Sequence, residues 1–274
     1  MNSVLIVLLL CVSQIWASKD HRIIGGVVAS NGQYPYAVAF YYNVNDEIRF
    51  CGGTIVGEKA ILTAAHCLKD STGFVIYLGT NNIGQENSNA VIVNSTTYVA
   101  HPQYNSQNLE NDIGIILLSS PITFNDNIKS IELATETLAT YEETIAVGWG
   151  TTRNEDTLPS DVLYHVSLVT LSNAACQRVY GTQIKDTMVC ANGYGSEGIC
   201  RGDSGGPLVQ KNSEGKDILV GVASFFSGYG CDTNDPSGFT RTYEYSAWIK
   251  EASAASIVQL FLPILIITCT NFFI

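Results

Sequence analysis

The stretch SEGICRGDSGGPLV, residues 196–209, sets one Asp-Ser pair among four glycines and a cysteine. Glycine weakens regular structure, so such a cluster indicates a backbone that approaches another group closely or adopts dihedral angles that other residues resist. One interpretation is a surface turn. The other is a nucleophile, Ser204, whose neighbouring N–H groups face a reacting oxygen. Choosing between them requires the rest of the chain.

Composition indicates an all-β protein. The 274 residues are 46% hydrophobic, which is enough to bury one large core or two modest ones. The 24 glycines, the 14 tyrosines and a charged fraction of only 14% suit many short strands joined by turns. The formal charge of −11 argues against nucleic-acid binding, because proteins that bind phosphate backbones are typically basic.

Short β-branched and aromatic runs, bounded by Gly, Asn, Asp and Ser, recur from Ile23 onward. This pattern is typical of a sandwich or barrel, and two similar β halves divided near residues 125–140 would fit the length. Only residues 244–255 show helical spacing. The clearest strand candidates are YAVAFYY (36–42), FVIYLG (74–79), IGIILLS (113–119), LYHVSLVTL (163–171) and DILVGVASFF (217–226).

The first residues predict secretion. Residues 1–17 carry an apolar run followed by small residues, as in a secretory signal peptide that is removed. Without that segment and the apolar C-terminal tail, six cysteines remain. An even number in a secreted chain implies three disulfides, and spacing alone leaves 15 connectivities open. The six are Cys51, Cys67, Cys176, Cys190, Cys200 and Cys231.

Three motifs bring chemistry-bearing residues in the order His, Asp, Ser. LTAAHC presents His66, ENDIGIILL presents Asp112, and CRGDSGGP presents Ser204. A serine hydroxyl is a poor nucleophile at neutral pH and needs an adjacent base. Histidine can accept that proton near pH 7, and a buried carboxylate fixes its tautomer. Together with IIGG after a basic residue, the motifs favour catalysis over a surface turn.

On these motifs the chain resembles the chymotrypsin/trypsin-type serine endopeptidases, from Ile23 to about Ser256. The resemblance implies two packed six-stranded antiparallel β-barrels with a C-terminal α-helix. It also implies a catalytic triad of His66, Asp112 and Ser204, an acyl-enzyme, and protein or peptide substrates. No cofactor is expected. Calcium-binding members carry paired acids after LG, whereas LGTNNIGQEN offers only Glu86, so we expect no metal. A non-catalytic homologue that acts as a binding module is the alternative of a different class.

The same resemblance assigns roles around the serine. The N–H groups of Gly202 and Ser204 would form the oxyanion hole. Cleavage between Arg22 and Ile23 would free an α-amino group to pair with Asp203, so that the oxyanion loop becomes ordered only in the cleaved protein.

The resemblance also implies the disulfide pairing and the substrate strand. The disulfides would be Cys51–Cys67, Cys176–Cys190 and Cys200–Cys231. Residues 224–226, namely Ser224, Phe225 and Phe226, would pair with an extended substrate as an added antiparallel strand. The Ser224 hydroxyl would also support the triad carboxylate.

Specificity depends on the pocket floor. Trypsin-like members place an acid six residues before the nucleophile, where this chain has Gly198. The resemblance places Ser237 on the far wall of the specificity pocket and Phe226 at its rim, where the family usually carries glycine. A glycine floor with one hydroxyl is similar to that of chymotrypsin-like and brachyurin-type members, and Phe226 is the departure from them. A buried Lys or Arg would be unpaired there, so we expect a preference for large apolar residues. Phe226 leaves an elastase-like preference for smaller aliphatic residues open, while Asp232 and Asp235 leave a tilt towards basic residues open.

The expected organisation is a signal peptide (1–17), an activation propeptide (18–22), a protease domain (23–256) and an apolar tail (257–274). The tail is a candidate GPI signal, membrane anchor or removable segment, so the enzyme is expected outside the cell, free or attached to the outer surface. Asn94, in the sequon NST, is the glycosylation candidate. The expected partners are substrates, an activating trypsin-like protease and protein inhibitors, with no nucleic acid, and we expect a monomer.

Overall fold

The structure is a computed structural model that describes residues 25–84 and 90–258. The expected signal peptide, the propeptide with Arg22, the new terminus at Ile23 and residues 259–274 of the tail lie outside the described residues. Within the described ranges, no helix has the length and apolar character needed to cross a membrane.

The first half of the chain forms a β-barrel whose sheet follows the order β6-β5-β2-β3-β4-β8-β7. Strands β6 and β7 are separated only by Thr96, and the Ser95 hydroxyl bends the chain there by donating to Leu117 O at 2.6 Å. Counted as one bent strand, they make the barrel six-stranded. Its strands are β2 (Ala37–Val44), β3 (Glu47–Gly57), β4 (Ala60–Thr63), β5 (Phe74–Leu78), β6 (Val91–Ser95), β7 (Thr97–Ala100) and β8 (Gly114–Leu117).

The second half forms another barrel in the order β11-β10-β13-β14-β15-β12, which a pairing between β11 and β12 closes. The short strand β1 (Val27–Val28) adds to β11, and β9 (Glu132–Leu133) pairs with β14 in the parallel sense. The six barrel strands themselves pair antiparallel. They are β10 (Glu143–Gly148), β11 (Tyr164–Leu171), β12 (Met188–Asn192), β13 (Pro207–Lys211), β14 (Asp217–Phe225) and β15 (Ser237–Arg241).

The prediction of two six-stranded barrels and a C-terminal helix is thus confirmed. Successive side chains of a strand point to opposite faces of the sheet, so each barrel strand buries one set of residues. In β2, Phe40 and Tyr42 point into the barrel and are buried, whereas Tyr41 and Asn43 face outward. The connection from Leu117 to Glu132 joins the two barrels.

The expectation of a single helix was incomplete. Besides α2 (Ser246–Val258), the described part of the chain forms α1 (Asn173–Tyr180), together with three 3₁₀ turns. Ser172 caps α1 by accepting a hydrogen bond from Ala175 N at 3.2 Å. Because α1 has only eight residues and buries mainly Cys176, it lacks the long apolar period by which a helix is recognised in sequence.

The three disulfides are those that the resemblance implies: Cys51–Cys67, Cys176–Cys190 and Cys200–Cys231. The first ties β3 to the 3₁₀ turn that carries His66. The third ties the segment before Ser204 to the loop after Phe226. Two of the three cross-links therefore restrain the region where the chemistry-bearing motifs meet.

Candidate active site

Asp112 holds His66 at two points. The carboxylate is buried and precedes β8. Its Oδ1 accepts a hydrogen bond from the backbone N of His66 at 2.9 Å, and its Oδ2 lies 2.8 Å from Nδ1 of the same residue. A carboxylate can only accept, so the ring proton is assigned to Nδ1 and the lone pair of Nε2 is free. This is the tautomer that a general base requires.

Two hydroxyl groups from the second barrel complete the surroundings of Asp112. Ser224 donates to Oδ2 at 2.6 Å, in the position that the sequence interpretation gave it. Thr240 donates to the backbone carbonyl of Asp112 at 2.8 Å. Sequence reasoning missed Thr240, because one threonine within strand β15 carries no signal that sets it apart. The hydrogen bonds to Ser224 and Thr240 dock the acid from the first barrel onto the second.

The surroundings of His66 beside Asp112 stabilise the protonated imidazole more than water would. Burial by itself lowers the pKa of His66, but the charge of Asp112 and the hydrogen bond to it outweigh that effect, so the pKa lies above its ordinary value. The ring stays accessible, with a quarter of its side-chain surface (26%) exposed. His66 can therefore receive a proton from a group in the cleft.

Ser204 lies beside this pair. Its carbonyl accepts a hydrogen bond from Gly52 N at 2.8 Å, and Sγ of Cys67 lies 3.8 Å from the same oxygen. A side chain at Gly205 would overlap Thr63 Oγ1, so only glycine allows this close approach. No hydrogen bond joins the Ser204 hydroxyl to the His66 ring in the part of the chain that the structure describes. Such bonds are often long without substrate and tighten in the reacting complex.

Two backbone N–H groups of the serine loop, one of them that of the serine itself, have no acceptor among the described residues. They belong to Gly202 and Ser204, whereas the N–H of Asp203, between them, donates to Cys200 O at 3.1 Å. Gly202 has φ +95°, a conformation that glycine adopts without strain. Gly202 and Ser204 are both partly exposed, so these donors are available to a group that enters the cleft. One of these N–H groups precedes Asp203 and the other follows it. The glycine-rich loop therefore presents two unpaired donors beside Ser204, as the nucleophile interpretation expects.

Asp203 is buried and accepts two backbone hydrogen bonds. Gly150 N donates to Oδ1 and Cys200 N to Oδ2, each at 2.8 Å. Burial raises the pKa of Asp203 to about 7, although the bonds from Cys200 and Gly150 act in the opposite direction. Side chains at Gly148 or Gly150 would overlap the carboxylate. No Lys, Arg or His within residues 25–84 and 90–258 forms an ion pair with it.

The specificity-pocket candidates also meet. A Cβ at Gly198 would lie 2.8 Å from Ser237 Oγ, with no other described atom within 4 Å apart from its chain neighbours. The Ser237 hydroxyl accepts a hydrogen bond from Ile199 N at 3.1 Å. Phe226 is half-buried against the core of the second barrel, and Phe225 packs edge-on against Tyr180 at 5.3 Å. The floor formed by Gly198 and Ser237 is therefore uncharged.

The acids near the pocket have other surroundings. Asp235 is half-buried and accepts a 2.6 Å hydrogen bond from the Ser227 hydroxyl, whereas Asp232 is exposed.

One cluster of potential metal ligands occurs among the described residues, formed by His66, Cys51 and Cys67. Because those two cysteines form a disulfide, they offer no thiolate to a cation.

Comparison with known proteins agrees with this geometry. The Trypsin family model matches residues 23–249. Brachyurin from Leptuca pugilator is 36% identical over 229 residues, which are 83% of this chain and 97% of the relative. A trypsin from Xenopus laevis is 35% identical, with coverage of 91% and 99%. A solved structure of HL collagenase superposes with a TM-score of 0.74 at 30% identity, covering 83% of this chain and 97% of that one.

The fold and these relatives define the class: the protein is a chymotrypsin/trypsin-type serine endopeptidase. More narrowly, the chain belongs to the trypsin family, with a brachyurin, trypsins and collagenases among its relatives. Proteases of this family act on proteins and peptides.

Proposed function

We propose that this endopeptidase is a secreted zymogen that works through an acyl-enzyme on His66, Asp112 and Ser204. The observation that carries the proposal is the contact of the buried Asp112 carboxylate with both the backbone and the ring of His66, beside the Ser204 loop. A buried acid that orients the imidazole in this way is the arrangement of the Ser-His-Asp triad. The two unpaired N–H groups at Gly202 and Ser204 then have a use.

The mechanism follows from these contacts. Ser204 Oγ attacks the carbonyl carbon of the substrate while its proton passes to Nε2 of His66, and Asp112 stabilises the imidazolium that forms. The N–H groups of Gly202 and Ser204 hold the oxyanion, each worth about 3–4 kcal/mol. His66 returns the proton to the leaving amine, which departs and leaves an ester at Ser204. Water, deprotonated by His66, then hydrolyses that ester.

A fluorophosphonate probe tests the mechanism. After treatment with immobilised trypsin, the full chain should be labelled at Ser204, because the probe reacts only with an activated serine. The matched control is Ser204→Ala, which keeps the fold and should take no label. Absence of labelling in a folded, cleaved wild-type protein would favour the non-catalytic homologue.

For specificity, the proposed preference at the residue before the cut is a large apolar side chain. The support is the uncharged floor at Gly198 and Ser237, where a Lys or Arg would be buried without a partner. Neither Asp232 nor Asp235 lies within 4 Å of the Cβ position at Gly198.

The half-buried Phe226 favours a second candidate, an elastase-like preference for smaller aliphatic residues. A peptide library varied at the residue before the cut separates the two, with Phe226→Gly as the matched variant. If Phe226 narrows the mouth, the variant should gain rate on Phe and Tyr relative to Ala. Unchanged ratios would remove the elastase-like candidate.

Activation is proposed to require another protease. A pocket that rejects arginine would not cleave after Arg22, so a trypsin-like enzyme must generate the Ile23 terminus that pairs with Asp203. The buried acid without a described counter-charge supports this proposal. Purified precursor should stay intact alone and mature with trypsin. Unaided maturation that Ser204→Ala abolishes would contradict it.

Secretion and surface attachment rest on the terminal segments. Asn94 lies exposed on β6, where a glycan could be attached. For the tail, a GPI signal is proposed first, a membrane anchor second and a removable segment third. A phosphoinositide-specific phospholipase should release activity from expressing cells in the first case alone.

A further inference from the structure

An aromatic ridge leads away from the proposed oxyanion hole over the outside of the first barrel. It consists of Phe50, Tyr41 and Tyr77. The position of a Cβ at Gly202 lies 3.3 Å from the Phe50 ring, so the ridge begins in contact with the oxyanion loop. The Phe50 and Tyr41 rings meet edge-on at 5.1 Å, and Tyr41 and Tyr77 meet edge-on at 6.0 Å.

Strand alternation places the ridge on the outer surface. Tyr41 pairs with Phe50 across β2 and β3, and Tyr77 lies diagonally opposite on β5, two residues from the partner of Tyr41. The neighbours Phe40 and Ile76 point into the barrel and are fully buried. The three ridge rings are only half-buried, and Val75, opposite Tyr41, is 40% exposed. The outer face at this point is therefore largely apolar and partly open to solvent, with the exposed Asp161 as a neighbouring charge of the Tyr41 phenol.

Tyr77 packs in part against the core of the first barrel, but no hydrogen bond among the described residues holds either ridge phenol. Neither Tyr41 nor Tyr77 makes a side-chain hydrogen bond within the described ranges. Contiguous apolar surface of this kind on a soluble protein commonly marks a binding site. Aromatic rings with a polar tip suit a polypeptide, since they pack on apolar side chains and can still bond to the backbone.

The direction in which a substrate chain runs through the site indicates which ligand lies on the aromatic ridge. The proposed substrate strand, residues 224–226, belongs to the second barrel and holds the part before the cut. An extended chain that passes Ser204 must leave on the other side, and there Phe50 adjoins Gly202. The two ring-to-ring steps together match three to four extended residues at about 3.3 Å each.

We propose that Tyr41 and Tyr77 bind apolar side chains of the substrate at the third to fifth residues after the cut. This inference rests on the proposed function. The enzyme accordingly prefers extended polypeptide with apolar residues there over short peptides. Tyr41 and Tyr77 are specificity-determining residues that do not touch the reacting atoms.

The test compares three quenched fluorescent peptides that are identical up to the cut. One ends two residues after the cut, one continues with Leu and Phe at positions three to five, and one continues with Ser and Gly there. The trypsin-treated full chain should cleave the apolar long peptide with the highest kcat/KM. In the double variant Tyr41→Ser/Tyr77→Ser, that advantage should fall about fivefold to tenfold, while cleavage of the short peptide should not change.

A matched control removes an exposed tyrosine elsewhere. Tyr141, which is 74% exposed before β10, can be changed to Ser and should leave all three rates unaltered. Equal kcat/KM for the apolar and the Ser/Gly long peptides in wild type, or an undiminished advantage in the double variant, would overturn the proposal. Failure of the proposed function itself would appear differently, as no fluorophosphonate labelling and no cleavage of the short peptide.

Discussion

Two aspartates near Ser204, the proposed nucleophile, are equally buried but accept different hydrogen bonds. Asp112 accepts hydrogen bonds from the His66 ring, the His66 backbone and the Ser224 hydroxyl. Among the described residues, Asp203 accepts hydrogen bonds from two backbone N–H groups alone, and burial raises its pKa to about 7. The difference indicates that Asp112 already has the hydrogen bonds that the proposed triad requires. Asp203 is suited to receive a positive charge that arrives later.

The largest expected effect comes from Asp112→Asn. The amide has one acceptor oxygen in place of two. When that oxygen accepts from the His66 backbone N–H, the NH₂ group faces Nδ1, so the ring is driven towards the tautomer with its proton on Nε2. The activated enzyme should lose about 10⁴-fold in kcat, the size general for this change in Ser-His-Asp proteases. The loss in kcat is measured from initial rates, with the enzyme concentration determined by an active-site titrant. A loss under tenfold would mean that Asp112 does not orient His66.

Asp203→Asn should have the next largest effect. A neutral amide cannot pair with the Ile23 ammonium, so the oxyanion loop should not become ordered and activity after trypsin treatment should fall about 10²- to 10³-fold. The protein should still be secreted and correctly cleaved at Arg22. Wild-type turnover in the cleaved variant would refute the switch.

The same substitution also tests the raised pKa of Asp203, through the stability of the uncleaved chain. Because the folded-state pKa of Asp203 lies above the ordinary carboxyl value of about 4, the folded protein binds its proton more tightly than the unfolded chain. The free energy of unfolding should therefore fall by a few kcal/mol as pH rises from about 4 to about 7. In Asp203→Asn, urea unfolding across this range should show a correspondingly smaller decrease.

Ser224→Ala should cost less than either change. It removes one donor from Asp112 and leaves the two contacts with His66 in place, so kcat should fall about tenfold. The substrate strand uses the backbone of residue 224, so KM should change little. A rise in KM with kcat unaltered would assign Ser224 to substrate binding instead of support of the acid.

The smallest expected effect is a shift of the acid limb of the pH profile. Catalysis needs neutral His66, so activity rises as pH rises through its pKa. Since Asp112 holds that pKa above its ordinary value, kcat/KM for a short peptide should reach half its maximum above pH 6.5. Thermal unfolding at each pH serves as the control for folding. A midpoint below 6.5 would contradict the pairing of His66 with Asp112.

Much of the fold could be predicted from sequence. Short β-branched and aromatic runs between turn residues located strands such as β2, β5 and β14 to within one or two residues, because both signals are local in the sequence. Helix α1 was missed, since eight residues around a disulfide show little periodicity. The bend that joins β6 to β7 depends on the hydroxyl of Ser95 reaching Leu117, a contact that no local pattern announces.

The amino-acid sequence by itself determined the strands, the cysteine count and the three motifs that carry His66, Asp112 and Ser204. Only the tertiary structure brought in Thr240, the unpaired N–H groups beside Asp203 and the ridge of Tyr41 and Tyr77. The physical reason is sequence separation. Ser224 and Thr240 meet Asp112 from 112 and 128 residues away, and such contacts exist only after both barrels have closed and packed together.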